Sequence, residues 1–194
     1  MEVTLNQSFT VQQPIERVWA FLSDPRKVAP CLPGAELLEA VNDTTYRGAI
    51  KMKLGPFSAQ FLGEVVVEHM DSAAHEIRMV GKGKDSKGTG SAAMTITGKL
   101  SAVSPTATEM VSQSHLVISG KIAQFGARMV EDVSKSMFSK FTEAFTAQLQ
   151  AEAEGQPGPA RPADNAVKVT EVAGAVVKGA MGRLFGRGDK DPQT

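Results

Sequence analysis

Apolar and polar residues alternate at the start of the chain. Val3, Leu5, Phe9 and Val11 fall on one face and Glu2, Thr4, Ser8 and Thr10 on the other, the pattern of a half-buried strand. Pro14 then stands where the first turn of a helix tolerates it, and Ile15, Val18, Trp19 and Leu22 recur at helical spacing. Asp24-Pro25 ends that helix, a short second one is expected to reach Cys31, and Leu32-Pro33-Gly34 is a turn. Strand-like runs follow at 35–41, 45–54, 58–69, 76–83, 92–102 and 107–118, with turn residues between them. In 45–54, Tyr46, Gly48, Ile50, Met52 and Leu54 oppose Arg47, Lys51 and Lys53. Phe61, Gly63, Val65 and Val67 oppose Gln60, Glu64 and Glu68, and Met79 and Gly81 oppose Arg78 and Lys82. Met94, Ile96, Gly98 and Leu100 oppose Thr95, Thr97 and Lys99. Strands joined so tightly make an antiparallel meander. From Lys121 the period becomes helical: Ile122, Phe125, Met129, Val133, Met137, Phe141 and Phe145 form one stripe, widened by Val130 and Phe138. That helix spans about 30 residues, or about 45 Å. A curved antiparallel sheet with one long helix across its face is an α+β architecture.

The pattern stops near Glu154. Residues 155–165, GQPGPARPADN, hold three prolines and no branched apolar residue, and read as a semi-stiff linker. The expected organisation is therefore a domain over 1–154, a linker over 155–165, an amphipathic helix over 166–187 and a disordered end over 188–194. Charge changes the picture only when it is divided the same way. The whole chain, 194 residues, balances 21 basic against 21 acidic residues, which argues against general nucleic-acid binding. The tail carries six basic and four acidic residues, so the body is slightly acidic and the tail basic. The sequence has no apolar run of about 18 residues and no signal-like start, so neither a membrane span nor secretion is expected.

Several segments carry a resemblance: FTVQQPIERVWAFLSDPRKVAPCLPGAELLE, YRGAIKMKLGPFSAQFLGEV, GKDSKGTGSA and SGKIAQFGARMVEDVSKSMFSKF. Their order is similar to the helix-grip fold of the START-like (SRPBCC) superfamily, and the segments themselves resemble the G-subunit family of carbon monoxide dehydrogenase. The most telling pieces are Leu32-Pro33-Gly34, the Gly48–Lys53 strand with Leu54-Gly55-Pro56, and Gly120–Gly126 before the helix. The resemblance covers residues 1–150. It implies a helix-grip domain with a ligand cavity and no catalysis of its own. It also implies an accessory role beside a molybdenum CO dehydrogenase or related hydroxylase. Such a protein recruits the enzyme to the cytoplasmic membrane and handles an isoprenoid quinone, menaquinone or ubiquinone, as electron acceptor. Peripheral attachment to the inner face of that membrane follows as an expectation. No covalent cofactor is implied.

The residues themselves reach only an apolar, elongated ligand. The candidate cavity lining is Met52, Leu54, Phe57, Phe61, Met79, Met94, Ile96, Phe125, Met129, Val133, Met137 and Phe141. Methionine adapts to irregular shapes, and phenyl rings stack on flat head groups; both also serve as ordinary core filler. Gly48, Gly63, Gly81 and Gly98 fall on the inward face, where they either empty a hollow or mark curvature of the sheet. In the tail, Val172, Val176, Ala180 and Leu184 share one helical face, Phe185 sits further round, and Lys178, Arg183 and Arg187 supply charge. This is a weak interfacial helix for a membrane, with a docking helix for a protein partner, or a disordered tail, as the competing readings.

Other signals point to no chemistry. The stretch 81–90, GKGKDSKGTG, lacks the lysine-serine ending of a phosphate loop and is expected to be a mobile connection that could gate the cavity. His69, His75 and His115 have no metal-ligand spacing, and the lone Cys31 has no disulfide partner. No catalytic constellation is visible. A ligand-free assembly scaffold and a small helix-grip enzyme remain the alternatives.

Overall fold

The computed structural model describes residues 1–54, 57–156 and 167–168, with the backbone alone at Leu54, Phe57, Val167 and Lys168. The chain runs β1 (Glu2–Val11), α1 (Ile15–Leu22), α2 (Pro25–Val28), a 3-10 turn (Ala29–Cys31) and then β2 (Ala35–Ala40), β3 (Thr45–Leu54), β4 (Phe57–Asp71), β5 (Glu76–Asp85), β6 (Gly90–Ser104) and β7 (Ala107–Gly120). A second 3-10 turn (Lys121–Phe125) leads into α3 (Ala127–Ala153), and two residues, Val167–Lys168, form β8. The seven long strands are antiparallel neighbours in the order β1-β7-β6-β5-β4-β3-β2. The meander places β2 at one edge; β1 closes the other by pairing with β7 from Glu2↔Val117 to Val11↔Thr108. The expected strand order and the α+β helix grip are both present.

Local chemistry explains the connections. Asp24 caps α2 by accepting from the Arg26 N–H at 2.9 Å, and Pro25 occupies the first helical position. Between β4 and β5, Asp71 accepts from the backbone N–H groups of Ala73 and Ala74. Those bonds, Ala74 first, hold its carboxyl below the usual carboxylate range.

Two expectations need correction. The helical stripe read from Ile122 does not begin a single helix: Ile122 and Phe125 belong to the 3-10 turn, and α3 starts at Ala127. Gly120 and Gly126 have φ of 77° and 80°, a left-handed backbone that breaks helical continuity on both sides of that turn. The glycine-rich stretch is not a long loop either. β5 continues to Asp85 and β6 resumes at Gly90, so only Ser86–Thr89 turn the chain.

Of the tail, only β8 is described. It pairs in parallel with β3 through Met52↔Val167 and Lys53↔Lys168. The last β2–β3 pair on that edge is Ala35↔Ile50, so β8 uses the stretch of β3 that β2 leaves open. Val167 and Lys168 are thus strand where the sequence pattern predicts helix. The rest of the predicted helix, with Val172, Val176, Lys178, Ala180, Arg183, Leu184, Phe185 and Arg187, lies outside the described residues, as does linker segment 157–165.

α3 crosses one face of the sheet, and two separate clusters hold it there. The lower cluster gathers α1, the Cys31 turn and the C-terminal half of α3: Val11, Val18, Phe21, Cys31, Leu100, Phe141, Phe145 and Leu149. The upper cluster gathers Ala59, Phe61, Ile118, Ile122 and Val133, with Met52, Phe125, Met129 and Met137 packed around them.

Candidate functional site

Directly opposed residues in an antiparallel sheet point to the same face, so the registers give the surface beneath α3 row by row. One row runs Val67, Met79, Ile96, Ser114, Leu5. The next runs Val65, Gly81, Met94, Leu116, Val3. A third runs Gly48, Gly63, Gly83, Ala92, Ile118. Phe61 and Ile118 belong to the upper cluster with Val133 of α3, which fixes this as the inward face.

The sequence-predicted lining residues divide into four groups. Met52, Phe61, Phe125, Met129, Val133 and Met137 come together in the upper cluster. Met79, Met94 and Ile96 sit mid-sheet, half-buried, and pack into neither cluster. Beside them Val65 is 39% exposed although its strand position faces inward. Phe141 is not part of this region. It stacks on Phe145 in the lower cluster, centroids 5.7 Å apart, and is 7% exposed, so it is core. The side chains of Leu54 and Phe57 lie outside the described residues; their backbones pair at the end of the β3–β4 hairpin.

The glycines separate into two kinds. A Cβ on Gly63 would lie 2.2 Å from the Lys82 carbonyl oxygen, and one on Gly48 would lie 2.8 Å from that of Glu36. These two exist because neighbouring strands approach too closely for a side chain, which is the curvature reading. Gly81 is different: its Cβ would meet Val65 Cγ2 at 3.7 Å and the Glu64 carbonyl oxygen at 3.9 Å, both ordinary contacts. Here the absent side chain does leave space on the inward face.

Sequence reading missed three things about this face. Gly83 and Ala92 extend the row of small residues, and Ser112 and Ser114 put buried hydroxyls on it. The period-two pattern backward from Ile118 and Leu116 holds that signal. The third is Asp85. It shares its face with Phe61 and is 5% exposed. Its carboxylate accepts from the Thr89 hydroxyl at 2.6 Å and from the backbone N–H groups of Gln60, Lys87 and Thr89. The Thr89 hydroxyl above all holds the carboxyl below its ordinary range, against the opposing effect of burial. The Thr89 carbonyl in turn accepts from the Lys121 N–H at 2.8 Å. Asp85 therefore ties β4, the β5–β6 turn and the approach to α3 into one corner. The turn is pinned, which corrects the expectation of a mobile gate.

What remains beneath the helix is hydrocarbon, glycine and two serine hydroxyls. No group of three or more His, Cys, Asp or Glu side chains that could hold a metal occurs among the described residues. A depression of about 440 Å³ between the end of β1 and the end of α3 is a different place, lined by Thr10, Val11, Gln12, Gln13, Thr146, Gln150, Ala153 and Glu154. No helix among the described residues is long and apolar enough to cross a membrane.

Solved structures share this fold at low sequence identity. A conserved protein from Geobacillus kaustophilus matches with a TM-score of 0.71 and 19% identity, over 77% of this chain and 97% of its own. The Zhui aromatase/cyclase from a Streptomyces species matches with a TM-score of 0.60 and 15% identity, over 81% and 100%. A START superfamily protein from Mycobacterium smegmatis matches with a TM-score of 0.55 and 13% identity, over 77% and 98%. No curated protein matches the sequence. The model of one family, the G subunit of carbon monoxide dehydrogenase (CoxG), matches residues 8–150. The chain belongs to this CoxG family of carbon monoxide dehydrogenase, built on the START-like helix-grip fold.

Proposed function

We propose that this chain is a non-catalytic accessory protein of a molybdenum CO dehydrogenase or a related hydroxylase. It holds an isoprenoid quinone, menaquinone or ubiquinone, between α3 and the sheet. It carries that quinone between the cytoplasmic membrane and the enzyme, recruits the enzyme to the membrane, or does both. Family membership supports the association with the dehydrogenase. The observation that carries the ligand reading is the uncovered mid-sheet strip: Met79, Met94, Ile96 and Val65 face inward without being sealed by either cluster. Apolar surface left open between two packed regions suits an oily, flexible guest, and the adjoining methionines of the upper cluster adapt to its shape.

An aromatase/cyclase with the same fold keeps an enzyme reading in view. Catalysis there would need a free acid or base beneath the helix. Asp85 is consumed by its own turn, and the serines have no histidine beside them on that face. The carrier reading is the better supported.

The test is lipid extraction and native mass spectrometry of the purified full-length protein. A retained isoprenoid quinone is the expected result, and protein that never retains an isoprenoid ends the quinone reading. Deleting residues 155–194 is expected to weaken liposome binding strongly while the body stays folded. Equal vesicle sedimentation of the two forms would remove the tail as the membrane contact.

A further inference from the structure

The body's charges are unevenly spread. The ion pairs among the described residues, Lys27–Glu152, Arg47–Glu39, Arg47–Glu64, Arg78–Glu68, Lys99–Glu76 and His115–Glu2, include none of Lys51, Lys53, Lys82, Lys84, Lys87 and Lys121. All six are exposed. The registers collect them at one end of the molecule. Lys51 and Lys53 lie opposite Gln60 and Ser58, and Lys82 and Lys84 lie opposite Glu64 and Leu62. Four lysines therefore share the outer face of three adjacent strands, within about 10 Å across the sheet. Leu62, 47% exposed, sits among them. Lys87 lies in the β5–β6 turn, and the Lys121 N–H binds the Thr89 carbonyl of that turn, so both extend the patch around the rim. The carboxylates facing it from neighbouring strands are Glu36 and Glu39 at the sheet edge and Glu64; Arg47 already pairs with Glu39 and Glu64.

A second observation points to the same end. β8 runs parallel to β3 and pairs Lys168 with Lys53. β3 runs toward the β3–β4 turn, so the chain at Lys168 is directed toward that end too. Lys168 thus stands beside the lysines, and the tail positions read as membrane-binding follow it in sequence.

We infer that this lysine rim is a second membrane contact, made by the folded body against anionic headgroups. An acidic protein surface is the less favoured partner. The six cations are all lysines, compact point charges rather than the planar forks that pair with individual carboxylates, and four of them share the outer sheet face with an exposed leucine. Docked this way, the upper cluster with Met52, Met129 and Met137 lies at the bilayer end of the molecule. The inference rests on the membrane arm of the proposed function and deepens it.

The test uses full-length protein and two vesicle types, pure phosphatidylcholine and a mixture containing phosphatidylglycerol. Lys51, Lys53, Lys82 and Lys84 are changed together to Gln, and in a second variant to Glu. A control carries Arg78→Gln and Lys99→Gln on the same outer face toward the other end. Circular dichroism and thermal unfolding verify that each variant folds. Each basic residue near an anionic surface adds to affinity, so the Gln variant is expected to bind the anionic vesicles about tenfold or more weakly than wild type. The control stays at wild-type affinity, and wild-type binding falls steeply as salt is raised. Wild-type affinity in both lysine variants overturns the rim and leaves the tail as the membrane contact. Wild-type vesicle binding joined to lost capture of the dehydrogenase reassigns the rim to a protein partner and also overturns it. No binding of wild type to anionic vesicles overturns the membrane reading itself; the quinone arm is judged separately by extraction.

Discussion

The two clusters under α3 are built from different materials. In the lower one Val18, Phe145 and Leu149 are wholly shielded, and Phe145 meets the rings of Phe9 and Phe21 edge-on at 5.7 and 5.2 Å. In the upper one Met52, Met129 and Met137 are only half-buried around Phe61 and Val133. Rings locked edge-to-face define a single packing, whereas methionines tolerate several. The same helix is thus clamped rigidly at its C-terminal half and held adaptably at the other. Stability belongs to the lower end, and the ligand accommodation we propose belongs to the upper. Phe145→Ala breaks this comparison most directly: truncating a sealed aromatic costs about 3–5 kcal/mol, a large part of a domain's stability. Met137→Ala, at a half-exposed position, is expected to cost well under ~2 kcal/mol while lowering the quinone retained on purification. Urea unfolding of both variants checks the first part; equal losses would show that the two clusters form one core.

The glycines sharpen the contrast within the sheet. Gly63→Ala drives a methyl group into the Lys82 carbonyl, where backbone must shift, and is expected to cost about 1–3 kcal/mol. Gly81→Ala makes only ordinary contacts, with a methyl of Val65 and the Glu64 carbonyl oxygen, so stability should stay within about 0.5 kcal/mol while the inward space narrows. Thermal unfolding separates them. A sensitive Gly81 together with a tolerant Gly63 would reverse the assignment of curvature and space.

Much of this was legible in the sequence because the physics is local. Alternation in β3 to β6 exposes the inward face, and Asp24-Pro25 and the 45–54 run mark their own boundaries. Most of the misreadings concern partners distant in the chain; the helix start is the local exception. Ile122 and Phe125 fit a helical stripe, and only the left-handed backbone at Gly120 and Gly126 interrupts it. Phe141 keeps the same spacing as Met137, yet it falls one turn further along and meets Phe9 and Phe145 rather than the open strip. Asp85 reads as one more polar residue in a glycine-rich stretch until the fold brings Gln60, from 25 residues earlier, onto its carboxylate. Gly48 and Gly81 look alike in sequence, and only the neighbouring strand's backbone distinguishes them.

Asp85 also supplies a test by pH. Its carboxyl is held below the ordinary 3.8, so the ionised form is favoured in the folded state. That contribution is present at any pH above the unfolded value and is lost as pH falls through the folded one. Asp85→Asn should lower the unfolding midpoint by an amount that is constant from pH 5 to 8 and shrinks below about pH 4. The loss should fall on the upper end, because the carboxylate holds the corner that leads into α3. Hydrogen exchange at Ile122 and Phe125 should quicken, while exchange at Phe145 stays slow. An undiminished midpoint difference at pH 3 would remove the charge from the explanation.

The smallest effect concerns Cys31, which reports on the lower cluster from inside. It is 2% exposed, and burial pushes its thiol from 9.0 up to about 11. The nucleophile is the thiolate, so at pH 8 the folded protein should react very slowly with a disulfide reagent, for want of both charge and access. Reaction then measures opening of the lower cluster. Phe145→Ala should accelerate it; Met137→Ala and Gly81→Ala should not, because they loosen only the other end. The raised value also fixes a sign. Stability from keeping the thiol neutral is complete below about pH 9 and is lost as pH rises toward about 11, since the unfolded chain ionises first. Cys31→Ala removes that alkaline slope with little change at neutral pH. Rapid labelling of the wild-type thiol at pH 8 would mean that the lower cluster opens as readily as the upper, and the division of labour along α3 would fail.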